Sequence, residues 1–202
     1  MKFILATTNA GKAGEILEAF DGDHTVLTLS DIGFTKEIIE DGNTFEENAK
    51  IKVKAIYSWL PSHDDYDYII ADDSGLMIDA LDGEPGLHTA YWMGADIPYA
   101  VRNKKAIQLL EDVPKDERTA RFISTIAYCC KDGNIQTVSG VLEGLIAQEE
   151  KGDKGFGYDP IFYVPGIGKN LAELSKEEKN KISHRAVALA KMCKLIGVEV
   201  NL

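Results

Sequence analysis

The opening of the chain constrains its architecture more than any other segment. Phe3 to Thr7 reads as a buried first strand, Thr8, Asn9, Ala10 and Gly11 as a polar turn, and Lys12 as the start of a helix. Ala13, Ile16, Leu17 and Phe20 are expected to face inward from that helix. Strand, turn and helix in immediate succession predict an α/β fold.

The remaining segments extend this pattern. Val26, Leu27 and Leu29 suggest a second short strand, and the acidic stretch from Gly33 to Gly42 reads as partly extended. Thr44 followed by Glu47 matches a capping box, after which Phe45, Ala49, Val53, Ile56 and Leu60 recur at helical spacing until Pro61 stops the helix. Tyr68 to Ala71 reads as a short strand that delivers Asp72, Asp73, Ser74 and Gly75 at its carboxyl end, with Leu76 to Leu81 returning as another. Pro98 to Leu110 reads as a helix. Arg121 to Tyr128 and Gln136 to Ala147 flank a turn at Asp132 and Gly133, which suggests an antiparallel pair and therefore a mixed sheet. Ile161 to Val164 is apolar, a loop follows, and a last helix runs from about Ser183 to Ile196 with Ala186, Leu189, Ala190 and Cys193 on one side. No repeat, low-complexity tract or linker divides the chain, so 1–202 is expected to form a single domain.

Charge narrows the partners. With 22 Lys+Arg against 33 Asp+Glu, a formal net charge of -11 and a pI near 4.8, the chain argues against polymeric nucleic acid and against an anionic membrane surface. A small anion held by a local basic cluster, its charge offset by a divalent cation, remains compatible with that balance. Cys129 and Cys130 are adjacent and Cys193 stands alone, which gives neither a disulfide framework nor a CxxC metal signature. The apolar run after Lys2 is too short for a signal-peptide core or a membrane span, and a cytoplasmic location is expected.

Several constellations could carry chemistry. Thr7, Thr8, Asn9, Gly11 and Lys12 lie in a strand-to-helix turn whose backbone N–H groups and positive helix end suit a phosphate, although such turns are also ordinary connections. The turn is not a Walker A loop, because the first glycine of GxxxxGK[ST] is missing and Ala13 replaces the magnesium-binding hydroxyl. Asp72 and Asp73 form either a solvated turn or a pair that holds a divalent ion and activates water, and adjacent strand residues face opposite sides. Glu40 and Asp41 are further carboxylates, read most simply as a solvated loop. Asn48 and Lys52 stand one turn apart beside the apolar stripe of the long helix, where Lys52 could supply a triphosphate with a second cation besides Lys12. Gly155, Phe156, Gly157, Tyr158, Asp159 and Pro160 set rings between glycines, so that backbone can approach a flat ligand while Phe156 or Tyr158 stacks on it. Ser183, His184 and Arg185 open the last helix, as donors to an exocyclic oxygen or as a surface pair.

Taken in order, LATTNAGK at 5 to 12, TFEENAKIKVKA at 44 to 55, ADDSGLMIDALDGEPG at 71 to 86, GFGYDPIF at 155 to 162 and LSKEEKNKISHRAVAL at 174 to 189 resemble the inosine/xanthosine triphosphate pyrophosphatase family nearly end to end. The resemblance implies an elongated mixed β-sheet with flanking helices forming two lobes around a central cleft, a homodimer and dependence on Mg2+. It implies hydrolysis of ITP, dITP and XTP to the nucleoside monophosphate and pyrophosphate, which clears damaged precursors. By motif position, Thr7, Thr8, Asn9, Ala10, Gly11, Lys12 and Lys52 would hold phosphates, and Glu40 and Asp73 would bind magnesium. Asp73 would also prepare the attacking water, with Lys52 in the catalytic set and Ser74 beside it. Phe156, Gly157, Tyr158 and Asp159 would frame the base, and Lys179, His184 and Arg185 would complete nucleotide recognition.

Two positions depart from that family. The usual PGxxSARY continuation reads Pro85, Gly86, Leu87, His88, Thr89, Ala90, Tyr91 and Trp92 here, so a neutral phenol replaces a planar cation and any ion pair or dimer contact made by it. Thr8 replaces a commoner glycine. The Tyr91 exchange leaves open a protein that binds modified nucleotides without hydrolysing them, and a related pyrophosphatase acting on pyrimidine or other modified nucleotides is a further alternative.

Overall fold

The computed structural model describes every residue except Asp21 and Asp23. Among the described residues, seven strands form a sheet in the order β2-β1-β3-β4-β5-β6-β7. They are β1 Lys2–Leu5, β2 Thr25–Thr28, β3 Tyr68–Ile78, β4 Thr119–Cys129, β5 Ile135–Ile146, β6 Phe162–Val164 and β7 Lys169–Asn170. The helices are α1 Ala10–Ala19, α2 Phe45–Trp59, α3 Tyr99–Leu109, α4 Lys176–Asn180 and α5 His184–Ile196. β1 pairs in parallel with β2 and β3, whereas β5 with β6 and β6 with β7 are antiparallel, so the expected mixed α/β sheet is the observed one. None of the described helices is long and apolar enough to cross a membrane.

The chain divides into two compact units: Met1–Asp73 with Ser124–Gly140 and Arg185–Leu202, and Ser74–Ile123 with Val141–His184. In the first, strand alternation sorts the apolar residues into two clusters. Phe3, Leu5 and Ile70 join Ile16 of α1, Phe20 just beyond it, and Leu189 and Met192 of α5, while Ile4, Ile69 and Ala71 join Ala49, Val53 and Ile56 of α2. Helices therefore cover both faces of its parallel strands, as buried parallel strands require. The second unit packs Leu76 and Ile78 of β3, Ala106 and Leu110, Ala120 and Phe122 of β4, and Phe162 and Val164 of β6 into one cluster.

Several sequence expectations change. Tyr68 to Ile78 is one continuous strand, not two interrupted by an acidic turn, and Asp79–Leu81 is a 3-10 turn beyond it. The carboxylates of Asp72 and Asp73 therefore lie within the strand, which is possible because both find cationic partners. Leu17 is 37% exposed and Ala190 is exposed, because the buried stripes run through Ile16, Ala19 and Phe20 and through Ala188, Leu189, Met192 and Cys193. The stretch from Gly33 to Gly42 is irregular. The Thr44 hydroxyl caps α2 by accepting from Glu47 N at 3.1 Å, but the Glu47 carboxylate accepts from Asn43 N at 2.6 Å and so closes the box one residue early. β7 and α4 occupy the region read as loop; two and five residues are too few for a periodicity, although Ser175 and Glu178 form a capping box at α4.

Candidate active site

The first functional group builds on the β1 to α1 connection. Asn9 caps α1 by accepting from Lys12 N at 3.1 Å, while its own N–H donates to Thr7 Oγ1 at 3.2 Å. Thr8 and Ala10 are left exposed, and Thr7 and Gly11 half-buried. The turn thus exposes the positive end of a ten-residue helix, and its Lys12 ammonium lies 2.9 Å from Asp72 Oδ2 and 3.9 Å from Asp73 Oδ1.

Asp72 shares a face of β3 with Ile70, beneath α1 and α5. Its carboxylate accepts from the Ser124 hydroxyl and from Arg185 Nη2 at 3.4 Å, and the same guanidinium holds Glu15 of α1. Burial alone would raise the Asp72 pKa, but Arg185, Lys12 and the Ser124 hydroxyl outweigh it and hold the carboxyl well below the usual range. Asp73 shares the opposite face with Ile69 and Ala71. There Lys52 Nζ approaches Asp73 Oδ1 at 3.2 Å, Asp72 O at 3.0 Å and Glu40 Oε2 at 2.7 Å. Burial raises the Asp73 pKa, assisted by the like charges of Asp72 and Glu40, and Lys52 and Lys12 offset this only in part. Lys12 is lowered, chiefly by burial and further by Lys52 and Arg185. Lys52 is raised, since Asp73 and Glu40 outweigh its burial.

Glu40 and Lys52 are placed by α2. Asn48 Oδ1 accepts from Gly42 N at 2.9 Å, two residues from Glu40, and Lys52 follows one turn later. Both helix residues are buried, so Lys52 is not a solvated surface lysine. Among the described residues no group of three or more His, Cys, Asp or Glu side chains converges to hold a metal ion. Glu40 and Asp73 nevertheless flank one ammonium with hard oxygen donors, a set that suits magnesium, which takes one or two carboxylates and fills its remaining positions with water and phosphate oxygens.

The second group lies in the other unit. Asp159 Oδ2 accepts from Phe156 N at 2.9 Å and from Lys179 Nζ at 2.6 Å, and the Lys179 ammonium stands 5.0 Å from the centroid of the Phe156 ring. Gly155 has φ +74°, and a Cβ there would lie 2.1 Å from Asp159 Oδ2, so only glycine lets the loop close on this carboxylate. Tyr158 is 1% exposed; its ring meets Tyr99 edge-on at 5.3 Å and its hydroxyl donates to Thr89 O at 3.3 Å. That burial removes Tyr158 as a stacking surface and leaves the half-buried Phe156 for that role. The His184 ring stacks on Phe122 at 4.8 Å. Ser74 is half-buried in β3. His184 and Arg185 are both buried and not a surface pair, and Arg185 pairs with Glu15 and Asp72.

The profile of the Ham1 family matches residues 3–195. The chain belongs to the Ham1 family. It is 46% identical to the dITP/XTP pyrophosphatase of Leuconostoc mesenteroides over 98% of each chain, and 44% identical to that of Bacillus subtilis strain 168 over 96% of each. The solved Ham1 proteins of Staphylococcus aureus and Coxiella burnetii each superpose with a TM-score of 0.85 at 35% identity, covering 98% of both chains.

Sequence reasoning missed some residues that build this Ham1 site. Glu15 and Ser124 complete the surroundings of Asp72, and Tyr99, Arg102 and Asn103 of α3 support the aromatic loop. Glu15 stands three residues after Lys12, a spacing that sets both on one helix face and was the available signal. Ser124 and Asn103 carry no comparable mark.

Proposed function

We propose that this Ham1-family enzyme hydrolyses the non-standard purine nucleoside triphosphates ITP, dITP and XTP to the monophosphate and pyrophosphate. The reading is carried by one observation: Asp73, a buried carboxylate with a raised pKa, is flanked by two ammonium groups and by a second carboxylate. A triphosphate brings about four negative charges that must be balanced before water can add at phosphorus. Lys12, Lys52 and the exposed end of α1 supply cationic and dipolar balance, with Thr7, Thr8, Asn9, Ala10 and Gly11 presenting the turn.

Glu40 and Asp73 would hold Mg2+, which supplies further charge neutralisation at the phosphate oxygens. Asp73 accepts a proton from the attacking water as the water oxygen bonds to the α-phosphorus, and the bond from that phosphorus to the bridging α–β oxygen breaks, so that pyrophosphate leaves with that oxygen. That proton passes on to the departing pyrophosphate or to solvent. Lys52 orients Asp73 and tunes its proton affinity.

The residues of the second unit serve the purine. Phe156 offers a ring face, Gly157 an approachable backbone, and Lys179 and His184 supply donors suited to a 6-oxo oxygen, while Asp159 fixes Lys179. A donor set meeting adenine's 6-amino group would be mispaired, which costs far more than a lost methylene. Arg185 acts by holding Asp72 and α1 in register. The three described cysteines are all free thiols, which supports a cytoplasmic location. The second unit exposes Tyr91 and Met93, each 48% accessible, and these supply apolar area for a homodimer.

The test is a substrate panel with pyrophosphate and orthophosphate assayed separately. Pyrophosphate from dITP, ITP and XTP in the presence of Mg2+ is the expected result. Orthophosphate release, or equal turnover of dGTP and ATP, would overturn the reading, and saturable binding without product would favour the sensing alternative.

A further inference from the structure

α3 carries three residues that none of the motifs contains and that together organise the purine loop. Asn103 Nδ2 donates to Gly157 O at 3.3 Å, one turn after Tyr99, whose ring lies beneath Gly157 and edge-on to Tyr158. Arg102 stacks its guanidinium 4.8 Å over the Tyr99 ring and donates to Ala90 O at 2.6 Å and Gly94 O at 2.8 Å. Gly157 itself has φ +68°, a left-handed geometry that is not self-maintaining and that aims its carbonyl at Asn103.

Asn103 is only 2% exposed, and its Oδ1 has no hydrogen-bond partner among the described residues. A buried amide oxygen without a partner weakens the fold; a leucine of similar volume would remove that burden while leaving the carbonyl of the half-buried Gly157 without this donor, two effects that oppose each other. Stability alone therefore gives the amide little net advantage. What it achieves is to fix the peptide between Phe156 and Tyr158.

We propose that Asn103 is a positioning residue for purine recognition: by holding the Gly157 carbonyl it sets the Phe156 ring and the adjoining backbone at the separation a flat base requires. The proposal rests on the reading of the Phe156 to Asp159 loop as the base site. It predicts a variant that folds as well as the parent and yet recognises its substrate less well, which a merely structural role would not produce.

The experiment compares Asn103→Leu and Asn103→Ala with Phe156→Ala, using steady-state kinetics on dITP and thermal unfolding. One lost neutral hydrogen bond corresponds to about a 3- to 10-fold rise in KM, with kcat within about twofold. Asn103→Leu should keep its Tm within about 2 °C of the parent, or above it. A raised KM for Phe156→Ala with an unchanged KM for both Asn103 variants would overturn the positioning role while leaving the base site in place. An unchanged KM for Phe156→Ala would instead remove the base-site reading and the proposal with it. A fall of more than about 5 °C in Tm for Asn103→Leu would assign Asn103 to the fold and also overturn the proposal.

Discussion

Asp72 and Asp73 are neighbours in β3 whose carboxylates lie on opposite faces of the sheet and whose proton affinities shift in opposite directions. Asp72 meets Arg185, Lys12 and Ser124 and is held ionised; Asp73 meets Lys52 amid two other carboxylates and binds its proton more readily than a free aspartate. Lys12 touches both. One residue thus anchors the cationic framework and the other is available for proton transfer, a division of roles recurrent where two nearby carboxyl groups are given different environments.

Asp73→Asn keeps the shape of the side chain and removes the proposed base. Turnover of dITP is expected to fall by about 10²- to 10⁴-fold while nucleotide binding, measured by calorimetry, stays within about threefold. Loss of cooperative unfolding in this variant would assign Asp73 to the fold.

The raised proton affinity of Asp73 has a readable sign. In the protein without magnesium or nucleotide, the Asp73 carboxyl should titrate above the ordinary aspartate value of about 3.9. Lys52 lowers the Asp73 pKa, so Lys52→Gln should move that titration, followed by carboxyl NMR without magnesium, to still higher pH. A titration that stays in place would remove Lys52 from this role.

Asp72 predicts the opposite behaviour for stability. Its folded pKa is depressed, so its contribution is fully present above the unfolded value of about 3.9 and is lost as pH falls below it toward the folded value. Asp72→Asn leaves Arg185 and Lys12 buried without this carboxylate and should cost about 3–5 kcal/mol near pH 7. The variant's Tm should also decline less steeply than the parent's below about pH 4. A parallel decline in the two proteins would contradict the assignment.

Glu40→Gln tests the proposed ion site with little risk to the fold, because the Glu40 side chain is 39% exposed. The magnesium concentration for half-maximal activity should rise at least about tenfold, with Tm changed by no more than about 2 °C. An unchanged metal requirement would exclude Glu40 as a ligand.

Gly155→Ala places a methyl group on the Asp159 carboxylate and adds a left-handed penalty of about 1–2 kcal/mol. Displacing Asp159 frees Lys179, so KM for dITP should rise more than kcat falls. A fall in kcat at constant KM would argue that this loop serves the chemistry and not the base.

Much of this was legible in the chain itself. Ile16 with Phe20, and Ala49 with Val53 and Ile56, announced their helices through spacing, and Thr44 and Asn9 occupy the capping positions that polar residues favour at helix starts. The five motifs contain Lys12, Lys52, Asp72, Asp73, Phe156, Asp159 and Lys179, whereas Glu40, Glu15, Ser124 and Asn103 lie outside them. The single strand through Asp72 and Asp73 was not legible, because an acidic pair followed by Ser-Gly reads locally as a solvated turn, and only distant cations make its burial tolerable. The burial of Tyr158 was equally hidden: its partners, Tyr99 and Thr89, lie 59 and 69 residues away in the chain.

The sequence by itself determined the strand–turn–helix opening, the cap at Thr44, the net negative charge and the family, because each depends on residue type at short spacing. The tertiary structure decided which aspartate is locked and which can exchange a proton, which aromatic ring is left for a ligand, and that Arg185 serves Asp72. Those outcomes depend on burial and on charges contributed by residues far apart in the chain, and a proton affinity follows from that surrounding field and not from the side chain's own chemistry.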